Sequence, residues 1–140
     1  MTHLLEPLLP YVPYLALVLR VVVGASLMVH GYPKLRGEGK KQAMAFMQSQ
    51  GVPAQAAILS GWLEFFGGLF FVIGLIVPVV ALFFVMQFGS IVALKGRKMK
   101  MPYIAPGKPS FEIDVTYLLL ALILLVIGAG ALSIDSLLGL

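Results

Sequence analysis

Long apolar runs alternate with short polar segments along most of this chain. The first apolar run extends from about residue 14 to 32, and the next, from 56 to 94, is about twice as long. Because one bilayer crossing needs about 20 apolar residues, the longer run can form two helices. Gly74 and Pro78 interrupt it near its middle, and a proline is tolerated in the first turn of a helix.

A fourth apolar run begins near Phe111 and ends at Gly128 and Gly130, where glycine favours the end of a helix. The pattern therefore predicts an all-α integral membrane protein, a four-helix bundle with up-down-up-down order. We expect one membrane domain over residues 1–140, with spans at about 14–32, 53–76, 78–94 and 111–130.

Two polar loops, residues 33–55 and 95–110, separate these spans. The first contains the segment KKQAMAFMQSQ, which places Ala43, Phe46 and Met47 on one side of a short helix. An amphipathic helix of this kind is typical of a membrane interface. We therefore expect a short interfacial helix in the first loop.

Composition agrees with a membrane protein. Of 140 residues, 60% are hydrophobic and only 11% are charged, and the mean hydropathy is +1.00, whereas soluble domains carry about 25% charged residues. The chain has no cysteine and only two histidines, His3 and His30. Thiolate metal sites and dithiol redox chemistry are therefore excluded, and we expect no metal and no covalently bound cofactor.

Basic residues predict the orientation in the membrane. Nine of the ten Lys and Arg residues lie in the two polar loops, so the positive-inside rule places both loops in the cytoplasm and both termini on the outer side. The expected location is a multi-pass protein of the cell membrane. The basic loops are accounted for by topology and anionic lipid rather than by nucleic acid.

Two charged residues fall inside the predicted spans. Arg20 lies about 9 Å below the outer boundary, and Glu64 about 11 Å from the cytoplasmic boundary, at 1.5 Å per residue. In a core of about 30 Å the remaining axial gap is roughly 10 Å, which long side chains can largely close. We therefore expect Arg20 and Glu64 to pair, with Gln87 near the same level.

Further polar residues gather at the cytoplasmic ends of the spans. His30 closes the first span, and Lys34 follows one turn later. Glu112 and Asp114 open the fourth span, where negative side chains suit the helix dipole. These four residues are candidates for the same polar site.

Glycines share a helical face with the buried charges. Gly24 and Gly31 follow Arg20, and Gly61 and Gly68 flank Glu64, at spacings that repeat on one side of a helix. Small residues mark close contact between membrane helices. Both charged side chains should therefore point into the bundle.

Two interpretations of the charged pair stay open. It is either a structural ion pair that sets the register between helices, or part of a polar pocket that binds a small molecule or passes protons. For His30 the alternatives are a hydrogen bond to a backbone carbonyl and a role with ligand or protons. The segment GAGALSID could be simply a capped exit from the fourth helix.

An ordered set of motifs resembles the DoxX family of small four-helix membrane proteins. The motifs are LRVVVGASLMVHGYPKL, GVP, GWLEFFGGLFFVIGL and FEIDVTYLLLALILLVIGAGALSID, and the resemblance covers residues 15 to 136. In the family an aromatic residue often precedes Ser-Leu-Asp, whereas this chain has Ala131-Leu132 at that place. The positions that match are Arg20, Gly24, His30, Gly31, Lys34, Glu64, Gly67, Gly68, Glu112, Gly128, Gly130, Ser133 and Asp135.

The resemblance implies a fold and an association with sulfur and quinone oxidoreductases of membranes. We accordingly expect a small membrane subunit of a respiratory or other quinone-linked oxidoreductase complex, an accessory chain whose polar site is built on Arg20 and Glu64. Expected partners are the lipid bilayer and other membrane subunits, with a quinone or a lipid as the small molecule. The alternatives are a non-catalytic scaffold or assembly protein and, less favoured, a transporter or proton-conducting element acting as a homo-oligomer.

Overall fold

The computed structural model describes residues 6–140 and contains helices joined by loops, with no strand in that range. Residues 1–5, and with them His3 and the start of the expected single domain, lie outside the described residues. A short 3-10 turn, Glu6–Tyr11, leads into the first helix. Six α-helices follow: α1 Val12–Leu35, α2 Gly37–Ser49, α3 Gln55–Ile73, α4 Val77–Ala93, α5 Glu112–Ile127 and α6 Ile134–Leu138.

Three helical segments are long and apolar enough to cross a membrane: Glu6–Leu35, Gln55–Ile73 and Val77–Lys98. The third includes a π-helical turn, Leu94–Lys98, that continues α4. The fourth predicted span forms α5, which has 16 residues and ends at Ile127, three residues before its predicted end. The expected short helix of the first loop is confirmed as α2, and α6 is a helix that the sequence pattern did not predict.

Local chemistry explains where α3 ends and α4 begins. Gly74 ends α3 with φ +72°, a left-handed conformation that glycine adopts at little cost. Ile76 also has a positive φ, +47°, which is rare for a β-branched residue. Pro78 lies in the first turn of α4, so its missing N–H leaves no hydrogen bond unmade.

The helices pack mainly as two pairs, α1 against α3 and α4 against α5, while α3 and α4 touch far less closely. Between the pairs lies an apolar core that includes Leu27, Phe71, Val77, Phe84 and Leu124. The sequential neighbours α3 and α4 therefore enclose a groove along most of their length.

Glycines let α1 and α3 approach to backbone contact, as their shared helical face predicted. A Cβ atom on Gly31 would lie 2.7 Å from the carbonyl oxygen of Gly61, and one on Gly68 would lie 2.5 Å from that of Gly24. Such distances are closer than real Cβ atoms permit, so any larger residue would force the helices apart. The glycine pairs therefore set the register between α1 and α3.

Candidate functional site

Arg20 and Glu64 do not pair, and the expected ion pair is wrong. Both side chains are buried, at 0% and 2% exposure, as their position on the glycine face predicted. Within residues 6–140, however, no hydrogen bond or salt bridge joins them; Arg20 donates to the carbonyl oxygen of Leu132, and Glu64 accepts from Lys34.

The register between α1 and α3 explains the error. Glu64 lies beside Gly31, because a Cβ atom on Gly31 would be 2.9 Å from the Glu64 Cβ. Gly31 is eleven residues beyond Arg20 on the same helix, which corresponds to about 16 Å at 1.5 Å per residue. The ends of the spans alone predict an axial gap of only about 10 Å between Arg20 and Glu64. The actual gap is larger because the glycine contacts fix how far α1 and α3 are displaced along their axes.

Glu64 is held by a cluster of three donors from three helices. Lys34 Nζ lies 2.6 Å from both carboxylate oxygens. Ser60, one turn before Glu64 on α3, donates to Oε1 at 2.7 Å. The Gln87 amide of α4 donates to the same oxygen at 3.2 Å and to Ser60 Oγ at 3.1 Å. The cluster thus satisfies a buried charge with one cation and two neutral groups.

A second buried ion pair lies close by, between α4 and α5. Lys95 Nζ donates to Asp114 Oδ2 at 2.6 Å and to the carbonyl oxygen of Ser110 at 3.3 Å. Asp114 is only 7% exposed. By contrast, Glu112 is exposed at the start of α5, so the structure does not bring this candidate into the cluster.

Both ion pairs line one cavity of about 190 Å³, which we call the polar cavity. Helix α2 covers it with Ala43, Phe46 and Met47, the apolar side that the sequence predicted. The two ion pairs therefore lie beneath the apolar side of α2. The remaining wall residues are Lys34, Ala57, Ser60, Glu64, Ile91, Leu94, Lys95, Met99 and Asp114.

A smaller cavity of about 50 Å³ adjoins the polar cavity and shares Lys34, Glu64 and Asp114 with it. It also contains His30 and Tyr117, whose rings meet edge to face with centroids 5.6 Å apart. Tyr117 stacks on Phe88 and hydrogen-bonds the hydroxyl of Ser26. His30 therefore places an imidazole ring in the same cavity as Lys34, Glu64 and Asp114, although it makes no hydrogen bond there among the contacts of residues 6–140.

Ser133 and Asp135, two of the motif residues after α5, belong to a separate cluster at the end of the helices opposite the polar cavity. Asp135 accepts from the backbone N–H groups of Ile76 and Val77 at 2.5 and 2.9 Å, which caps α4 and supports the unusual Ile76 backbone. Ser133 caps α6 by accepting from the Ser136 N–H at 3.1 Å. The segment after α5 therefore does more than end that helix: it fastens the turn between α3 and α4.

Arg20 belongs to this second cluster. Its Nη2 donates to Leu132 O at 2.5 Å, and its guanidinium lies against the backbone of Gly74, where a Cβ atom would collide with it. The Nε and Nη1 atoms are buried without a hydrogen-bond partner in the described chain. Gly74 is therefore required both for its positive φ and for the space that Arg20 fills.

Sequence reasoning missed the roles of Lys95 and Ser60, which line the polar cavity, and of Tyr117 and Ser26 at the smaller cavity beside it. Lys95 was assigned only to orientation, and Ser60, Tyr117 and Ser26 were not singled out. Ser60 could have been found, since it precedes Glu64 by one helical turn. The Lys95–Asp114 pair joins residues 19 positions apart, and no local spacing indicates which lysine of the basic loop turns inward.

The polar cavity combines hydrogen-bond donors and carboxylates. Lysine ammonium groups and an amide can donate to carbonyl oxygens, while carboxylates and histidine can take up or release protons. Within the described residues, no three His, Asp or Glu side chains are close enough to hold a metal ion. The groups that line the cavity can bind a polar ligand and take part in proton transfer.

Comparison with known proteins supports the resemblance seen in the motifs. A family model described as DoxX matches residues 15–95. A Bacillus subtilis (strain 168) protein named "Putative oxidoreductase CatD" is 31% identical over 121 residues, which cover 85% of this chain and 83% of the relative. No solved structure matches the chain significantly.

Proposed function

The chain belongs to the DoxX family, and from that premise we propose that it is a small membrane subunit of a quinone-linked oxidoreductase complex. The family and the apolar helices support a membrane protein, and the relative named as a putative oxidoreductase supports a link to oxidoreductases. An accessory role fits a chain with no cysteine, whose polar cavity offers proton donors and acceptors. Electrons would then be carried by cofactors in partner subunits.

The proposed arrangement is a four-helix bundle in which α5 completes the three longer spans. Helix α5 packs along α4 and also contacts α1, so α1, α3, α4 and α5 would run up, down, up and down. The basic loops 33–55 and 95–110 would face the cytoplasm, since nearly all lysines and arginines lie there. Helix α2 and the polar cavity would then lie at the cytoplasmic interface.

The observation that carries this proposal is that two partly buried ion pairs line one cavity. Lys34 and Lys95 present ammonium groups from α1 and from the turn after α4, with Glu64 and Asp114 as their partners. A bound quinone supplies the two-electron chemistry of its ring and needs donors at its carbonyl oxygens. The lysines would bind and orient those oxygens, and the carboxylates and His30 would relay from water the two protons that reduction consumes.

The donor set and the size of the cavity fit such a ring. An apolar cavity of about 150 Å³ binds benzene, and the polar cavity measures about 190 Å³. The cavity therefore accommodates one substituted ring with room for its carbonyl groups. The proposal places this ring between Lys34 and Lys95, under the roof of α2.

The test is to purify the protein from its own membranes in mild detergent and to measure both partners and quinone-linked turnover. We expect oxidoreductase subunits and extractable quinone in the wild-type preparation. Glu64→Gln and, separately, Asp114→Asn should retain the partners but lower turnover at least about tenfold, as expected for loss of a proton-transferring group. Glu112→Gln, an exposed carboxylate at the same end, is the matched control and should leave turnover unchanged.

Two results would contradict the proposal. If no oxidoreductase subunit copurifies, the chain is not a subunit of such a complex. If both cavity variants assemble and turn over at the wild-type rate, the ion pairs are structural, and the protein is a scaffold or assembly protein.

A further inference from the structure

A long apolar groove, which we call the α3–α4 groove, lies between the two helices that pack least closely. It encloses about 320 Å³ and is almost wholly apolar. Ile76 lies at one end and Gln87 at the other, eleven residues apart on α4, so the groove is about 16 Å long. Its other lining residues are Trp62, Leu63, Phe66, Gly67, Phe70, Val79, Val80, Phe83 and Phe84.

Aromatic rings form the walls of the groove, and a glycine forms part of its floor. Trp62 and Phe66 stack with ring centroids 5.3 Å apart, and Trp62 is 49% exposed on the groove side of the helix pair. A Cβ atom on Gly67 would lie 2.6 Å from the Phe84 ring. Because Gly67 has no side chain, Phe84 lies against α3 and the groove stays open at this position.

Gln87 connects this groove to the polar cavity. Its side chain lines the groove, while its amide nitrogen donates to Ser60 Oγ and Glu64 Oε1 at 3.1 and 3.2 Å. Ser60 and Glu64 are walls of the polar cavity. One side chain therefore contacts both the α3–α4 groove and the walls of the polar cavity.

We infer that the α3–α4 groove holds the hydrocarbon tail of the same molecule whose ring enters the polar cavity, with Gln87 positioned between tail and ring. This inference rests on the proposed function and specifies its ligand as a tailed, single-ring amphiphile. A ring held in the polar cavity cannot keep its tail there, because 190 Å³ is little more than one ring needs. Among the described cavities, the α3–α4 groove is the apolar one that ends at a residue of the polar cluster.

A second apolar surface, on α5, lacks the polar contacts that the α3–α4 groove makes through Gln87. Leu119, Leu122, Ile123, Val126 and Ile127 of α5 form a nearly flat face with no polar residue among them. This face offers no contact with Glu64 or Ser60, so lipid can cover it without specificity. It therefore supplies matched control positions for the groove.

The chain has a built-in probe, since Trp62 is its single tryptophan and lines the groove. The experiment titrates the full-length protein in nanodiscs with decylubiquinone and, separately, with the same ring lacking the decyl tail, and follows Trp62 fluorescence. We expect saturable quenching by decylubiquinone and at least a tenfold weaker affinity for the tailless ring. Trp62 should be quenched more in nanodiscs of brominated than of unbrominated phospholipid, and this difference should disappear as decylubiquinone saturates the protein and displaces the lipid.

Variants then locate the tail. Val79→Phe, which fills the groove from α4, should weaken decylubiquinone binding at least about tenfold, whereas Val126→Phe on the flat α5 face should leave it unchanged. Gln87→Met keeps the size of the side chain but removes the amide donor. It should weaken binding several-fold while leaving the quenching by brominated lipid intact.

Two outcomes would overturn the inference without touching the proposed function. If the tailed and tailless rings bind equally well, the groove takes no part in ligand binding. If brominated lipid quenches Trp62 and decylubiquinone never displaces it, the groove is a lipid contact only. Failure of the proposed function is a different result, namely the absence of an oxidoreductase partner, and it does not depend on Trp62.

Discussion

Two buried carboxylates, Glu64 and Asp114, are each neutralised by one lysine. The Lys34–Glu64 and Lys95–Asp114 distances are both 2.6 Å, and the acidic partner is the more buried in each pair. Lysine suits this position because its long stem lets an ammonium group near a helix end reach a buried partner. The same flexibility would let either ammonium group move toward a ligand without a change in the backbone.

Removing Lys34 leaves Glu64 buried without a cation. We expect Lys34→Met to lower the free energy of unfolding by about 3–5 kcal/mol, the usual cost of breaking a buried pair from one side. The double variant Lys34→Met with Glu64→Met should recover most of that loss, because no unpaired charge remains. Denaturant unfolding in detergent micelles measures both values.

The exposed pair of Lys41 with Glu38, at 2.7 Å on the surface of α2, provides the control. Lys41→Met should change the free energy of unfolding by less than about 0.5 kcal/mol. If Lys34→Met were as mild as Lys41→Met, the buried pair would not be a determinant of stability.

At the scale of helices, contact between α1 and α3 depends on glycines that face each other. Gly24 opposes Gly68, and Gly31 opposes Gly61. In a membrane the association of helices relies on such close packing, because lipid is as apolar as the side chains that helices bury. This contact places Glu64 beside Gly31 and within reach of Lys34.

A pair of alanine substitutions separates packing from helix propensity. Gly68→Ala would put a methyl group 2.5 Å from the Gly24 carbonyl oxygen, and overpacking of this kind should destabilise the protein by about 1–3 kcal/mol. Gly89→Ala in α4 meets nothing within 4 Å and should stabilise it by about 0.5–1 kcal/mol. Thermal unfolding in detergent distinguishes them, and equal shifts would contradict the close contact of α1 and α3.

At the scale of the whole molecule, the proposed sidedness places the polar cavity and α2 toward the cytoplasm. The two clusters of polar residues then have different tasks. Arg20, Ser133 and Asp135 fasten the chain end to the turn between α3 and α4, while Lys34, Glu64, Lys95 and Asp114 line the cavity. The separation leaves the cavity free of the groups that hold the outer end together.

The absence of native cysteine makes the orientation directly testable. Single cysteines at Gln48, Lys108 and Ser136, all exposed, report the first loop, the second loop and the chain end. In intact cells a membrane-impermeant maleimide should label Ser136→Cys alone, and all three should react after the membrane is opened. Labelling of Gln48→Cys and Lys108→Cys from outside would reverse the proposed orientation.

Much of this organisation could be predicted from the sequence, because it depends on patterns that repeat locally. Apolar runs of about one bilayer thickness, bounded by glycine and proline, predicted α1, α3, α4 and the start of α5. The amphipathic spacing of Phe46 and Met47 predicted α2. The face shared by Gly24, Gly31 and Arg20 predicted that the arginine would be buried.

Only the tertiary structure decided which buried charges meet. Partner choice depends on the axial offset between helices, and backbone contact at Gly31 and Gly61 sets that offset to within a fraction of a turn. Glu64 lies beside Gly31, about 16 Å along α1 from Arg20, so its partner is Lys34 rather than Arg20. The sequence by itself therefore determined a helical membrane protein with buried charges and a family resemblance. Helix register and loop closure determined the cavity. Register and closure arise from contacts between residues far apart in the chain, which no local sequence pattern encodes.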